Sequence, residues 1–304
     1  MIFVMRICAF PLQGWKIMNY IIFDLEWNNA YNYKTQKGMN EIVEIGAVKL
    51  NSALEIVDTF KQLIKPRVSK KLGSRFKNLT NISMDEINEY GIDFDEAFSD
   101  FSRWSRGEQN VFLSWSTSDL YTLVDNFIKF KGITYIDFIT QYADVQKYCM
   151  QFADNPGGNQ ISLSRCAELF DIDLSDKNLH RALEDCYAEA YCFKKVFDKE
   201  KFSKFIHKCD RAFFERLVYK PYYLSPKDNI FKIEDVKLTC PQCSGNINVL
   251  KKYDYVNKAF RSAGQCAECK KKFWIFVRAK KNYDDISVSK KLIEMNKKRA
   301  KRIG

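Results

Sequence analysis

The apolar positions of this chain fall first into short runs and then into helical periods. Tyr20–Leu25 is a brief β-rich apolar run, and Ile42–Leu50 and Leu54–Lys65 are two more, joined by a turn at Asn51–Ser52. The period then lengthens. Ser83–Tyr90 and Asp93–Arg106 predict helices, the second with Asp93 as its N-cap. Asn110–Trp115 predicts a fourth strand, Ser118–Lys131 a helix and Ile133–Ile139 a fifth strand. Further helices are expected at Thr140–Phe152, Ser162–Phe170, Leu179–Lys199 and Phe202–Val218. Three adjacent strands, followed by strands alternating with helices, predict an α/β sheet covered by helices.

The pattern changes after Val218. Tyr219–Asp235 contains Pro221, Ser225, Pro226 and Asn229 and reads as a linker. Residues 236–280 form a small β-rich cysteine module, and Ile286–Gly304 reads as a Lys/Arg-rich amphipathic helix. At the other end, Met1–Phe10 is apolar but too short for a membrane span, and it lacks a small-residue cleavage site. Met18 stands directly before the first strand, so translation is expected to begin there, with residues 1–17 an extension without function. The expected layout is therefore the extension 1–17, a main domain 18–218, the linker 219–235, the cysteine module 236–280 and a basic helical tail 281–304.

Composition sharpens this division. Apolar residues make up 46% of the 304 and aromatics 15%, enough for a sizeable core, which argues against a disordered chain. No segment is long and apolar enough for a membrane partner. The net charge of +11 is uneven: residues 220–304 carry 21 Lys and Arg against 8 Asp and Glu, and residues 1–219 carry 28 against 30. A mildly acidic main domain with a strongly basic appendage suits a protein that handles a polyanion. Six of the ten cysteines (Cys8, Cys149, Cys166, Cys186, Cys192 and Cys209) are scattered and read as buried thiols. Without a disulfide framework, a reducing compartment, the cytoplasm, is expected.

Candidate chemistry begins at Asp24 and Glu26. Side chains alternate along a strand, so the two emerge on one face with Cα atoms about 6.6 Å apart. Carboxylates so placed repel each other, and a divalent cation with hard oxygen ligands removes that cost. Asp119 follows the fourth predicted strand at the start of a helix, where an acid also complements the helix dipole. His180 and Asp185 form a third piece. Five helical residues turn a side chain through about 500°, so both can serve one site only if His180 precedes its helix. His207, inside an apparent amphipathic helix, reads as structural.

Together these pieces resemble the DEDDh 3′→5′ exonucleases: Asp24 and Glu26, then Asp119, then His180 with Asp185 five residues on. Neighbouring words agree, among them Glu41-Ile-Val-Glu-Ile-Gly-Ala-Val48, Leu79-Thr-Asn-Ile-Ser83 and Tyr135-Ile-Asp137. The resemblance covers about residues 18–200 and is nearest the RNA-interference-limiting, histone-mRNA-end and sporulation-inhibitor-type members. It implies a ribonuclease-H-like fold with a mixed five-stranded sheet. It also implies two Mg²⁺ or Mn²⁺ ions: Asp24, Glu26 and Asp185 on the first, Asp24 also on the second, and Asp119 in support. His180 would be the general base, and nucleoside 5′-monophosphates would be released from single-stranded nucleic acid, RNA favoured over DNA. Trp27-Asn28 departs from the Thr that many proofreading members carry after Asp-x-Glu, which weakens a DNA proofreading or repair role. A non-catalytic regulator acting through the cysteine module is a further alternative.

Cys240-Pro-Gln-Cys243 and Cys266-Ala-Glu-Cys269 are two Cys-x-x-Cys pairs. Four thiolates so spaced can close a tetrahedral structural Zn²⁺ shell, with an iron–sulfur site or disulfides as rivals. The flanking residues resemble zinc-ribbon knuckles, with strands expected at Tyr253–Ser262 and Lys272–Lys280 and with Trp274 and Phe276 on one face. Arg261, Lys270, Lys271, Lys272 and Arg278 interleave with Tyr255, Phe260, Phe273 and Trp274, a mixture that binds single strands by phosphate contact and base stacking. A protein partner docking on this module is the rival reading.

Overall fold

A computed structural model describes residues 18–32, 36–107, 109–153, 160–174 and 180–295. The expected extension 1–17 and the last nine residues of the expected tail helix lie outside these. The chain divides into two compact units, residues 1–218 and 219–304.

The first unit is α/β. Its strands are β1 (Asn19–Asn32), β2 (Lys37–Leu50) and β3 (Ile56–Leu63), followed by helices α1 (Ser74–Thr80), α2 (Met84–Tyr90) and α3 (Phe94–Trp104). Then come β4 (Asn110–Ser114), α4 (Thr117–Lys131), β5 (Gln141–Asp144), α5 (Val145–Cys149), α6 (Leu163–Leu169) and α7 (Ala182–Val196). The unit closes with α8 (Lys199–Ser203), β6 (His207–Lys208) and α9 (Arg211–Val218). The sheet order is β3-β2-β1-β4-β5-β6, antiparallel at β3-β2, β2-β1 and β5-β6 and parallel at β1-β4 and β4-β5. This is the expected mixed sheet with a short sixth strand added.

Strand alternation sorts the core. Ile21, Phe23 and Leu25 face a cluster with Phe94, Phe98 and Phe101 of α3 and Leu120, Leu123 and Phe127 of α4. Tyr20 and Ile22 face the opposite cluster, formed by Cys186, Ala190 and Phe193 of α7, Tyr148 of α5 and Cys166 of α6. Asp24 and Glu26 continue the even series, so their side of β1 is the side α7 covers.

Several boundaries differ from the sequence reading. The apolar run Ile133–Ile139 is not a strand. Gly132 ends α4 in the left-handed region (φ 70°), and Ile136 and Ile139 are buried from a loop. The fifth strand is Gln141–Asp144, so the expected helix Thr140–Phe152 is split, with Asp144 capping α5 by accepting the Lys147 N–H at 2.9 Å. The expected helix Phe202–Val218 is broken in the same way. Asp198 caps α8, Asp210 accepts the Phe213 N–H at 3.0 Å ahead of α9, and His207 lies in β6 between them.

The second unit contains β7 (Tyr222–Tyr223), a 3₁₀ turn (Ile233–Asp235), β8 (Ile247–Val249), β9 (Asp254–Val256), β10 (Ala259–Cys266), β11 (Lys272–Lys281) and β12 (Ile286–Glu294). Its sheet runs β12-β11-β10-β8, with β7 beside β11 and β9 beside β10. Three expectations are corrected here. The linker 219–235 belongs to this unit: β7 pairs with Lys280 and Lys281, and Leu224 and Ile233 are buried. The strand Tyr253–Ser262 is a hairpin, because Asn257 and Lys258 both adopt φ near +55° (51° and 58°), as a two-residue turn requires. The tail helix is a strand over 286–294. Ile286, Val288 and Ile293 favour the pleat, Leu292 packs against the unit's core, and all nine residues pair with β11. Its Lys290 and Lys291 guard the exposed edge.

Candidate active site

Asp24 and Glu26 lie opposite Gly46 and Glu44 of β2, just before a bulge after Glu26. Gly46 is where α7 crosses. A Cβ there would stand 2.2 Å from the Leu183 backbone nitrogen, so only glycine lets the helix approach this closely. The approach delivers Asp185, whose carboxylate joins those of Asp24 and Glu26 with ligand oxygens all within 4.8 Å of one another. Asp119 sits in the first turn of α4. Strand β4 pairs with β1 only as far as Ile22, and beyond it Asp119 accepts the Leu25 N–H at 3.2 Å, between the two strand carboxylates.

His180 precedes α7, as the turn arithmetic requires. It is exposed, and its backbone N–H donates to Asp185 at 3.1 Å. Its φ of 74° and the φ of 144° at Ser116, just ahead of Asp119, place two non-glycine residues in costly backbone regions on either side of the acids. The structure thus brings Asp24, Glu26 and Asp185 together, sets Asp119 against β1 beside them and ties His180 to Asp185 by its backbone N–H. The three hard carboxylates closest together suit a divalent metal ion; Asp119 touches β1 rather than joining that triplet.

Residues 21–193 match the family model described as Exonuclease. The chain belongs to the exonuclease family. Its acidic residues and histidine stand in the DEDDh order. It is 24% identical over 183 residues to the probable 3′-5′ exonuclease KapD of Bacillus subtilis, covering 60% of this chain and 85% of that one. It is 28% identical over 188 residues to the PolC-type DNA polymerase III of Clostridium perfringens, covering 62% of this chain but spanning only 12% of that relative's length. Among solved structures, the nuclease domain of 3′hExo, a DEDDh family member bound to rAMP, is similar in fold: TM-score 0.50 and 21% identity, over 59% of this chain and 90% of that one.

Electrostatics in the exonuclease domain follow from crowding. Burial, then Asp119 and Glu26, holds Asp24 well above the usual carboxylate range. Burial and then Asp185 push Glu26 up to about 9. Burial raises Asp119 to about 7 against the opposing Leu25 hydrogen bond, and raises Asp185 to about 6 against that of His180. One helical turn behind Asp185, the fully buried Glu189 is pushed far up by burial and then by Asp119. The Trp115 backbone opposes this shift, but neither carboxylate oxygen has a partner at hydrogen-bonding geometry.

Three supporting residues escape the sequence reading: Glu44, Arg181 and Glu189. Arg181 donates in a fork to both oxygens of the fully buried Glu44 (2.7–3.2 Å) and also to Glu86 at 3.0 Å, while the Ala182 N–H donates to Glu44 at 3.2 Å. This ties the start of α7, and so His180 and Asp185, to β2. The available signal was that Glu44 alternates with Gly46 on a strand whose neighbours are apolar. Glu44→Gln is expected to cost about 2 kcal/mol in urea unfolding, because Arg181 loses its forked carboxylate and keeps Glu86, and to lower kcat by about 10²-fold as Asp185 loses its register.

In the second unit the Sγ atoms of Cys240, Cys243, Cys266 and Cys269 also lie within 4.8 Å of one another, with Cys240–Cys269 at 3.7 Å and Cys243–Cys266 at 3.4 Å. A tetrahedral zinc shell needs S–S edges of about 3.8 Å. The two loops share one geometry. In each, the first Cys N–H bonds the carbonyl two residues past the second Cys (Gly245 and Lys271), and Ser244 and Lys270 take φ near 60°. These four cysteines could hold zinc.

The expected nucleic-acid contacts separate. Arg261, Lys272, Trp274 and Arg278 share one face of the sheet, whereas Lys270 and Lys271 lie in the second cysteine loop, where Lys271 pairs with Glu294 at 3.2 Å. Phe260, Phe273 and Tyr255, read as interleaved contacts, instead pack into the unit's core. Across the described residues, no helix is long and apolar enough to cross a membrane.

Proposed function

We propose that the exonuclease domain hydrolyses single-stranded nucleic acid from its 3′ end, RNA in preference to DNA, and releases nucleoside 5′-monophosphates. The observation that carries this reading is the convergence of Asp24, Glu26 and Asp185 within 4.8 Å beneath α7. Asp24, Glu26 and Asp185 would hold one Mg²⁺ or Mn²⁺, Asp24 would also serve a second, and Asp119 would support them. Such ions, when bound, supply an acidified attacking water and stabilise the departing 3′-oxygen. His180, exposed just ahead of α7, would accept the proton of the attacking water. The similarity to KapD supports the 3′→5′ direction. In the second unit the four cysteines hold one structural Zn²⁺, and Arg261, Lys270, Lys271, Lys272, Trp274 and Arg278 contact the strand. Cys149, Cys166, Cys186, Cys192 and Cys209, buried and unbridged, suit a reducing compartment, the cytoplasm.

Calorimetric titration with Mg²⁺, with and without a nucleoside monophosphate, tests the reading. Raised acids favour the metal-free fold when protonated, so metal-free stability falls as pH rises above the ordinary carboxylate range of about 4, and the loss is complete in turn at about 6 for Asp185, about 7 for Asp119 and about 9 for Glu26. Metal binding requires their ionised forms. Affinity is therefore expected to be higher at pH 8.5 than at pH 6, with protons released on binding and affinity raised again by the nucleotide. A chain that binds neither ion nor nucleotide at pH 8.5 is the non-catalytic regulator instead.

A further inference from the structure

The small sheet of the second unit has two unlike faces. On β11 the odd positions Phe273, Ile275, Val277 and Ala279 are buried in the unit's core. The even positions Trp274, Phe276, Arg278 and Lys280 look the other way and keep part of their surface open. Register extends this second face: Arg261 stands opposite Phe276 on β10, Lys291 opposite Phe276 on β12, and Tyr223 opposite Lys280 on β7.

From this arrangement we infer that the outer face of β10–β11–β12 is a stacking platform that holds one single strand of nucleic acid by its bases as well as its phosphates. The inference deepens the reading of single-strand hydrolysis and rests on it for the choice of ligand. Trp274 and Phe276 are two residues apart on one strand, about 6.8 Å, and face the same way. A strand running along β11 meets one ring after the other, with Tyr223, 37% exposed, beyond them. Cations already sit at these rings: the Arg261 guanidinium 5.5 Å from Phe276, Lys251 Nζ 5.9 Å from Trp274 and Lys258 Nζ 5.7 Å from Tyr223. Lys272, Arg278, Lys280 and Lys291 complete a basic field. The acid at this face, Asp254 opposite Arg261, is paired with Lys251 at 3.5 Å. Charge alone would also suit an acidic protein segment. The aligned rings favour bases, because every base presents a π-face to them.

The test uses the full zinc-loaded chain carrying Asp24→Asn, so that nothing is cut. Anisotropy of labelled 12-mer oligo-rU and oligo-dT is followed from 50 to 200 mM salt, with zinc content checked for each variant. Trp274→Ala and Phe276→Ala should each weaken binding about tenfold or more, and Trp274→Tyr should restore most of it. At the exposed Arg278, where folding is not at stake, Arg278→Ala should lower the slope of log affinity against log salt by about 0.7. The proposal is overturned if the alanine variants bind as tightly as their parent with the same salt slope, or if a poly-glutamate peptide displaces the oligonucleotide at equal charge concentration. Because binding is read without hydrolysis, an inactive nuclease site would leave this result standing by itself.

Discussion

Asp24→Ala is expected to lower hydrolysis of single-stranded RNA by on the order of 10⁴-fold or more, and EDTA should do the same to the unaltered protein. Asp24 is the residue every part of the site depends on. It shares the α7-facing side of β1 with Glu26, stands opposite Gly46, and gathers Asp119, Glu26, Glu189 and Asp185 as like-charged neighbours. Removing it should also raise the thermal midpoint of the metal-free protein, because one buried carboxylate leaves a repulsive cluster. A mutation that only disrupted packing would lower both activity and stability. Loss of turnover with a gain in metal-free stability is therefore the signature of a metal-ligating acid. His180→Ala should be milder, about 10²- to 10⁴-fold in kcat, and should leave Mg²⁺-induced stabilisation in place, since the residue's link to Asp185 is through its backbone N–H.

The second large effect concerns the cysteines. Cys243 is exposed, so Cys243→Ser removes a ligand without opening a cavity. Among the described residues the unit's core is a cluster of nine buried residues that includes Cys240 and Cys266 themselves, too little to hold a unit of this size without a staple. A structural zinc ion contributes roughly 10 kcal/mol or more to such a fold. Cys243→Ser, or a strong chelator, is expected to open residues 219–295 to limited proteolysis while the exonuclease domain stays protected. Unchanged protection with no zinc in the purified protein would show that the cluster folds without metal.

How much of this was legible beforehand depends on how local each signal is. Asp24 and Glu26 could be paired because strand alternation is a local rule. His180 could be placed before its helix because the rotation per residue is fixed. The approach of Asp119 and Asp185 to that pair was not a local matter and came through resemblance; for Asp185 its physical cause is the close crossing at Gly46, and for Asp119 the Leu25 N–H it accepts. Glu44 stayed hidden because its partner Arg181 is 137 residues away. The boundary errors share one origin. Segments such as Thr140–Phe152 and Phe202–Val218 satisfy burial in more than one conformation, and single caps, Asp144, Asp198 and Asp210, decide between them. Residues 286–294 differ from the helix expected of them because Lys-rich edge strands and Lys-rich helices have the same composition, and only pairing with β11 separates them.

The most direct measurement is digestion of one single-stranded RNA, labelled at its 3′ end in one reaction and at its 5′ end in another, with Mg²⁺ and an Asp24→Ala control. The account predicts that the 3′ label is released first, as a nucleoside 5′-monophosphate, while the 5′ label descends a ladder one nucleotide at a time, with the control inert. Release of the 5′ label first, internal cuts, or equal digestion by Asp24→Ala would contradict it.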